Sequence, residues 1–114
     1  MGANDTWHWS KWKNGKAECY GVCNLGDMNI STAWGNWFES ANNFNKDFPN
    51  GLFVDTPEVL HIDVMSSNGA AFIERGHGNT PSATNTGYFK ICRPTNLSLS
   101  QVKVSFHAIG HWKI

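Results

Sequence analysis

Trp7-His8-Trp9-Ser10-Lys11-Trp12 and Ala17-Glu18-Cys19-Tyr20-Gly21-Val22-Cys23 flank the tetrapeptide Lys13-Asn14-Gly15-Lys16. Both runs are rich in aromatic and β-favouring residues. Asn-Gly is the strongest short hairpin signal, because a type I′ turn needs positive φ at both central residues. A two-residue turn at Asn14-Gly15 then fixes a register by counting. It sets Trp12 against Ala17, Lys11 against Glu18, Ser10 against Cys19, Trp9 against Tyr20, His8 against Gly21 and Trp7 against Val22.

Further along, the same chemistry repeats. Met28 to Phe38 is expected to be a strand interrupted at Gly35, and 39–50 an Asn-rich loop. Pro49-Asn50-Gly51 predicts a turn before Leu52-Phe53-Val54, and Asp55-Thr56-Pro57 breaks the pattern. Glu58 to Met65 alternates, with Leu60, Ile62 and Val64 inward. Asn68-Gly69 predicts a second tight hairpin into Ala70–Arg75. A polar loop, 76–86, precedes the strand Tyr88 to Arg93. The last strand, Gln101 to Trp112, turns Val102, Val104, Phe106 and Ala108 to one side. No long stretch has helical period, and strands recur every 10–15 residues. That pattern predicts an all-β fold, an antiparallel β-sandwich.

Composition narrows the function. The 114 residues are enough for one domain, expected over 7–114, with the polar residues 1–6 a linker or the cut edge of a longer chain. Charged residues make up only 16% and the net charge is zero. There is no basic run, so nucleic acid is not expected as a partner. The apolar stretches are too short for a membrane span. Cys19 and Cys23 sit four apart on one expected strand, about 13 Å, which is too far for a disulfide. Three buried free thiols are expected.

Several residues are candidates for chemistry. A two-residue turn at Asn68-Gly69 would oppose Asp63 to Glu74, His61 to Gly76 and Met65 to Phe72. Two facing carboxylates need relief, from a cation, from sugar hydroxyls or as an acid–base pair. Trp34, Trp37, Tyr88 and Trp112 offer flat rings for a sugar face, with Trp34 and Trp37 preferred because they adjoin Gly35 and the Asn-rich loop. His77 and Asn79 in the polar loop complete the candidate glycan-binding set of Trp34, Trp37, His61, Asp63, Glu74, His77, Asn79 and Tyr88. His107 and His111 fall on one strand face about 13 Å apart, which rules out a metal site within one chain. Histidines from three chains around an axis remain an option. No nucleophile elbow, zinc-protease motif or phosphate-binding glycine loop is present. The chain is therefore not expected to be an enzyme, and no cofactor is expected.

The two ends of the chain carry a resemblance. Trp9-x-x-Trp12-x-x-Gly15-x-x-Glu18-Cys19-Tyr20-Gly21 and the closing Ala108-Ile109-Gly110-His111-Trp112-Lys113 resemble the C-terminal domains of tail fibre and baseplate proteins from phages of Gram-positive bacteria. There, Trp is common where Tyr20 stands and Arg where His111 stands. Phe48-Pro49, Phe53, Pro57 and Val59 are similar, more loosely, to H-type lectins. The resemblance implies a jelly-roll or lectin-like sandwich, homotrimeric at a fibre end and joined to upstream fibre or baseplate segments. It implies a virion protein, assembled in the bacterial host cytoplasm, that binds cell-surface polysaccharide or teichoic acid during attachment. The alternatives are a trimerisation or capping domain, or a polysaccharide depolymerase using Asp63 and Glu74.

Overall fold

The computed structural model describes residues 2–75 and 80–113. They form eight strands and no helix: β1 (Gly2–Ala3), β2 (Trp7–Lys11), β3 (Lys16–Trp34), β4 (Trp37–Ser40), β5 (Val59–Met65), β6 (Phe72–Arg75), β7 (Phe89–Arg93) and β8 (Leu97–His111). All pairings are antiparallel within one curled sheet.

The backbone of this sheet is the long ribbon of β3 and β8. One end of the ribbon continues into β2 and β1 on one side and β5 on the other. The opposite end continues from β3 into β4, β7 and β6. Straight, the 19 residues of β3 would span about 60 Å, yet the molecule is 47 Å at its longest, so the ribbon bends. Two β-bulges lie at the bend. Leu25 is an extra residue on β3, where Gly26 takes φ +74° and its N–H donates to the Asn24 side chain. On β8 the extra residue falls between Leu99 and Val102. There Gln101 takes φ +54°, and its N–H donates to Asp27 Oδ1 at 3.0 Å. The two insertions cancel, so the register on both sides of the bend is the same. Bulges of this kind sharpen twist and redirect strands.

Bending brings β7 over β8 and closes the core between them. Phe89 on β7 meets Phe106 on β8 with ring centroids 5.9 Å apart, and Trp7 meets Phe106 at 5.5 Å. Val102, Val104, Phe106 and Ala108 are buried, as their alternation predicted. The Asn-rich segment after β4 is not simply a polar loop. It delivers Phe48 to the core against Trp7 and Phe53, and the Trp7 indole N–H donates to the Asp47 carbonyl at 2.7 Å.

The expected turns need correction. None of the three Asn-Gly dipeptides makes a type I′ turn. At the first, Trp12 and Lys16 pair around a three-residue loop, with Gly15 at φ +96° and Asn14 at negative φ. This loop geometry ends in a bulge at the glycine. The register therefore slips by one: Trp7 faces Gly21, His8 faces Tyr20, Trp9 faces Cys19, Ser10 faces Glu18 and Lys11 faces Ala17. At Pro49-Asn50-Gly51-Leu52 the glycine takes φ +71° at the third position, as in a type II turn. At the third, Asn68 spends its side chain on β8. Its amide donates to the Ser98 carbonyl and accepts from the Ser100 N–H, both at 2.9 Å. That contact steers β5 onto β8 rather than β6, so the expected β5–β6 hairpin does not form.

The two-residue hairpin turn lies elsewhere, at Gly35-Asn36. Gly35 takes φ +59° while Asn36 does not, the arrangement of a type II′ turn. The expected single strand 28–38 is thus the end of β3 and the start of β4, with Trp34 paired directly to Trp37.

The residues that match the end motifs lock the two termini together. Trp112 N–H donates to the Gly15 carbonyl at 2.8 Å, and its indole N–H donates to the Trp12 carbonyl at 2.7 Å. A side chain at Gly110 would meet Pro57 Cα at 2.9 Å and the Phe53 ring, and one at Gly21 would collide with the Thr6 carbonyl. The expected Lys11–Glu18 pair is not formed; the Glu18 carboxylate meets His107 Nε2 at 2.6 Å. These motif residues build structure.

Candidate functional site

The Gly35-Asn36 turn projects two tryptophans from one sheet face. Cross-strand partners point to the same side, so Trp34 and Trp37 stand together. Alternation then places Glu39 on that face with Trp37, Glu74 with Phe72, and Lys90 with Cys92. The register ties the three strands: Glu39 faces Cys92, Cys92 faces Phe72, and Lys90 faces Glu74. The result is an open cleft of about 590 Å³ bordered by Trp34, Trp37, Phe72, Glu74, Arg75 and Cys92.

Its rim is apolar, and an ion pair lies buried beneath it, behind the lining residues. Trp34 is 52% exposed, Phe72 48% and Trp37 37%, and the Trp37 and Phe72 rings meet edge to face at 5.7 Å. Below them Glu39 and Glu74 are only 8% and 6% exposed. The Lys90 ammonium donates to Glu39 Oε1 at 3.0 Å from a position directly across from Glu74. Burial pushes the Cys92 thiol pKa up, and the negative fields of Glu74 and then Glu39 push it further. Arg75 at the rim donates from Nη2 to the Thr86 carbonyl at 3.4 Å. Exposed rings can stack on an apolar ligand face while the guanidinium of Arg75 at the border orients polar substituents.

The expected site residues do not all converge. Trp34, Trp37 and Glu74 do. Asp63 does not: it faces Ser105 across β8, and no pair with Glu74 exists. His61 faces His107. Both lie on the outer face of the other end of the ribbon, in a smaller cleft of about 420 Å³ shared with Tyr20, Val22, Ser105 and His107. The acid–base pair expected from Asp63 and Glu74 is therefore overturned by the β5–β8 pairing. Tyr88 lies at the far end of β7 from the tryptophans, about 17 Å along the strand from Arg93. His77 and Asn79, with Gly76, lie outside the described residues. The residues missed were Glu39, Phe72, Arg75, Lys90 and Cys92. Their signal was present as the i, i+2 pairs Trp37/Glu39, Phe72/Glu74 and Lys90/Cys92, which only a known register brings to one place.

The histidines of β8 each take a carboxylate. His107 meets Glu18, and His111 Nδ1 meets Glu58 Oε1 at 3.0 Å. Among the described residues, no group of three or more His, Cys, Asp or Glu side chains is placed to hold a metal. All three cysteines are free. Cys19 and Cys92 are buried, but Cys23 is only half-buried, contrary to expectation. Burial raises the Cys19 thiol pKa to about 12, with a further contribution from Glu18.

Comparison with protein-family models, with curated proteins and with solved structures finds no match to this chain.

Proposed function

We propose that this domain is a non-catalytic carbohydrate-binding module that takes a sugar of a bacterial cell surface in the Trp34–Trp37–Phe72 cleft. The observation that supports it most is the exposed tryptophan pair, held rigid by a two-residue turn beside buried carboxylates. Large indole rings left in water on a small domain are costly unless they are used. A pyranose presents one apolar face, which suits a ring, and a rim of hydroxyls, which suits the Arg75 guanidinium at the border of the cleft.

The setting implied by the end motifs is the tip of a phage tail fibre or baseplate protein. There several copies would display weak sites together and gain avidity. Cell-wall polysaccharide or teichoic acid is the ligand class. The buried Lys90–Glu39 pair argues for recognition rather than hydrolysis. A depolymerase would need a carboxylate able to protonate a leaving group in the open cleft.

Glycan-array and whole-cell binding of the protein, compared with a Trp34→Ala/Trp37→Ala variant, tests this reading. Binding that the variant loses supports it. A protein that binds no envelope fraction, or a variant that binds as well as the parent, refutes it. Release of reducing sugar would instead make the domain an enzyme.

A further inference from the structure

The edge of β5 away from β8 has no hydrogen-bonded strand partner among the described residues, although β6 packs near β5. The direction of its backbone groups can be worked out. Trp112 N–H donates to Gly15, on the β3 side, whereas the His111 carbonyl accepts from Val54, on the β5 side. Even-numbered residues of this part of β8 thus bond towards β3 and odd-numbered ones towards β5. The register matches His107 to His61 and Ser105 to Asp63, so the odd residues of β5 bond to β8. Leu60, Ile62 and Val64 then present their N–H and C=O groups outward. The Val64 N–H agrees, being met by the Asp63 carboxylate at 2.9 Å rather than by β8. An edge donor capped by its neighbour's carboxylate is a way of blunting such an edge.

We propose that this edge pairs with the β5 edge of a second copy, antiparallel about a two-fold axis at Ile62. Outward-facing residues must meet outward-facing residues, which leaves three compact registers. Centring on His61 opposes that imidazole to itself, and centring on Asp63 opposes two carboxylates, which is unfavourable. Centring on Ile62 sets His61 opposite the partner's Asp63 and Asp63 opposite the partner's His61. Those are non-hydrogen-bonded positions, where the side chains come closest. Leu60 faces the partner's Val64 and Ile62 faces the partner's Ile62, exchanging four backbone hydrogen bonds, with each Val64 N–H kept on its own Asp63 carboxylate. The side chains of Leu60, Ile62 and Val64 point to the core side yet are only half-buried, so a second copy completes their burial. An isologous contact of this kind closes on itself.

The test is sedimentation equilibrium of the whole chain and of two variants. His61 and Asp63 are exposed, so neither substitution disturbs the core. H61E sets Glu against the partner's Asp63 twice per dimer and raises the dimer Kd roughly tenfold. The double variant H61E/D63K sets Glu against Lys and restores dimerisation. Amide exchange adds a positional readout: Leu60 and Ile62 N–H groups gain protection as concentration rises. A monomer at millimolar concentration overturns the proposal. So does an oligomer, trimer included, that ignores H61E or leaves these two amides unprotected, and so does capture of an extended peptide at β5 in place of a second copy.

Discussion

Trp34 and Trp37 are direct cross-strand partners, joined by a two-residue turn whose glycine holds φ +59°. Four residues thus fix two indoles on one face with almost no chain between them to flex. The turn needs Gly at its first position, so Gly35→Ala would splay the pair. Trp34 is half-exposed, so Trp34→Ala should cost less than about 1 kcal/mol of stability, its share of one cross-strand pair. Glycan affinity should fall roughly tenfold, about 1.4 kcal/mol, as for an interface anchor. Urea unfolding and glycan titration of the same variant check the two halves of this expectation.

Lys90 holds the layer beneath the cleft together. It pairs with Glu39 at 3.0 Å, with both side chains largely buried, and stands across from Glu74. Lys90→Met removes the cation from between two buried carboxylates. Loss of one partner of a buried pair costs about 3–5 kcal/mol. Equilibrium unfolding at pH 7 measures it, and a variant within 1 kcal/mol of the parent contradicts the buried ion pair.

The closure of the termini rests on glycine. At Gly110 an added methyl meets Pro57 Cα at 2.9 Å and Phe53 Cδ1 at 3.0 Å, atoms of a packed loop that cannot swing away. Gly110→Ala should therefore destabilise by about 1–3 kcal/mol through overpacking. Thermal unfolding should show it, with the spectrum of the folded state unchanged.

Alkaline pH should weaken the fold through Cys19. In the folded chain this thiol keeps its proton up to about pH 12, whereas its ordinary value is 9.0. Between those limits the unfolded chain binds fewer protons, so stability is full below pH 9 and falls as pH rises towards 12. The slope approaches about 1 kcal/mol per pH unit. Urea unfolding at pH 8 and pH 10.5 should show a loss in the parent that is smaller in Cys19→Ala, where the raised Cys92 thiol still contributes. Thiol labelling of the native chain should begin at half-buried Cys23, ahead of Cys19 and Cys92.

How far the sequence could be read depended on range. Alternation in Leu60-His61-Ile62-Asp63-Val64 and in Val102 to Ala108 gave the strands and their buried sides, because a strand's period is a local property. Pairing is not local. Asn68 looked like a hairpin corner, yet its side chain reaches Ser98 and Ser100, and that contact sends β5 to β8. Asn14 looked like a type I′ position, yet its backbone stays at negative φ, and the one-residue difference moves every pair in the first hairpin. Trp34 and Trp37 were legible as candidates from residue type and position, whereas Glu74 was reached only through an expected pairing with Asp63 that does not form. Their neighbours Glu39, Phe72 and Lys90 were not legible, since only β4–β7–β6 pairing assembles them. Asp63 and His61 were grouped with Glu74 through the same turn error.

Chemical-shift mapping of the indole N–H signals during titration with cell-wall polysaccharide and teichoic acid tests the central claim most directly. The account predicts that Trp34 and Trp37 move together and saturate, while buried Trp7 and the structural Trp112 stay still. Saturable binding that leaves Trp34 and Trp37 unmoved, or perturbs only the His61–Asp63 face, would contradict it.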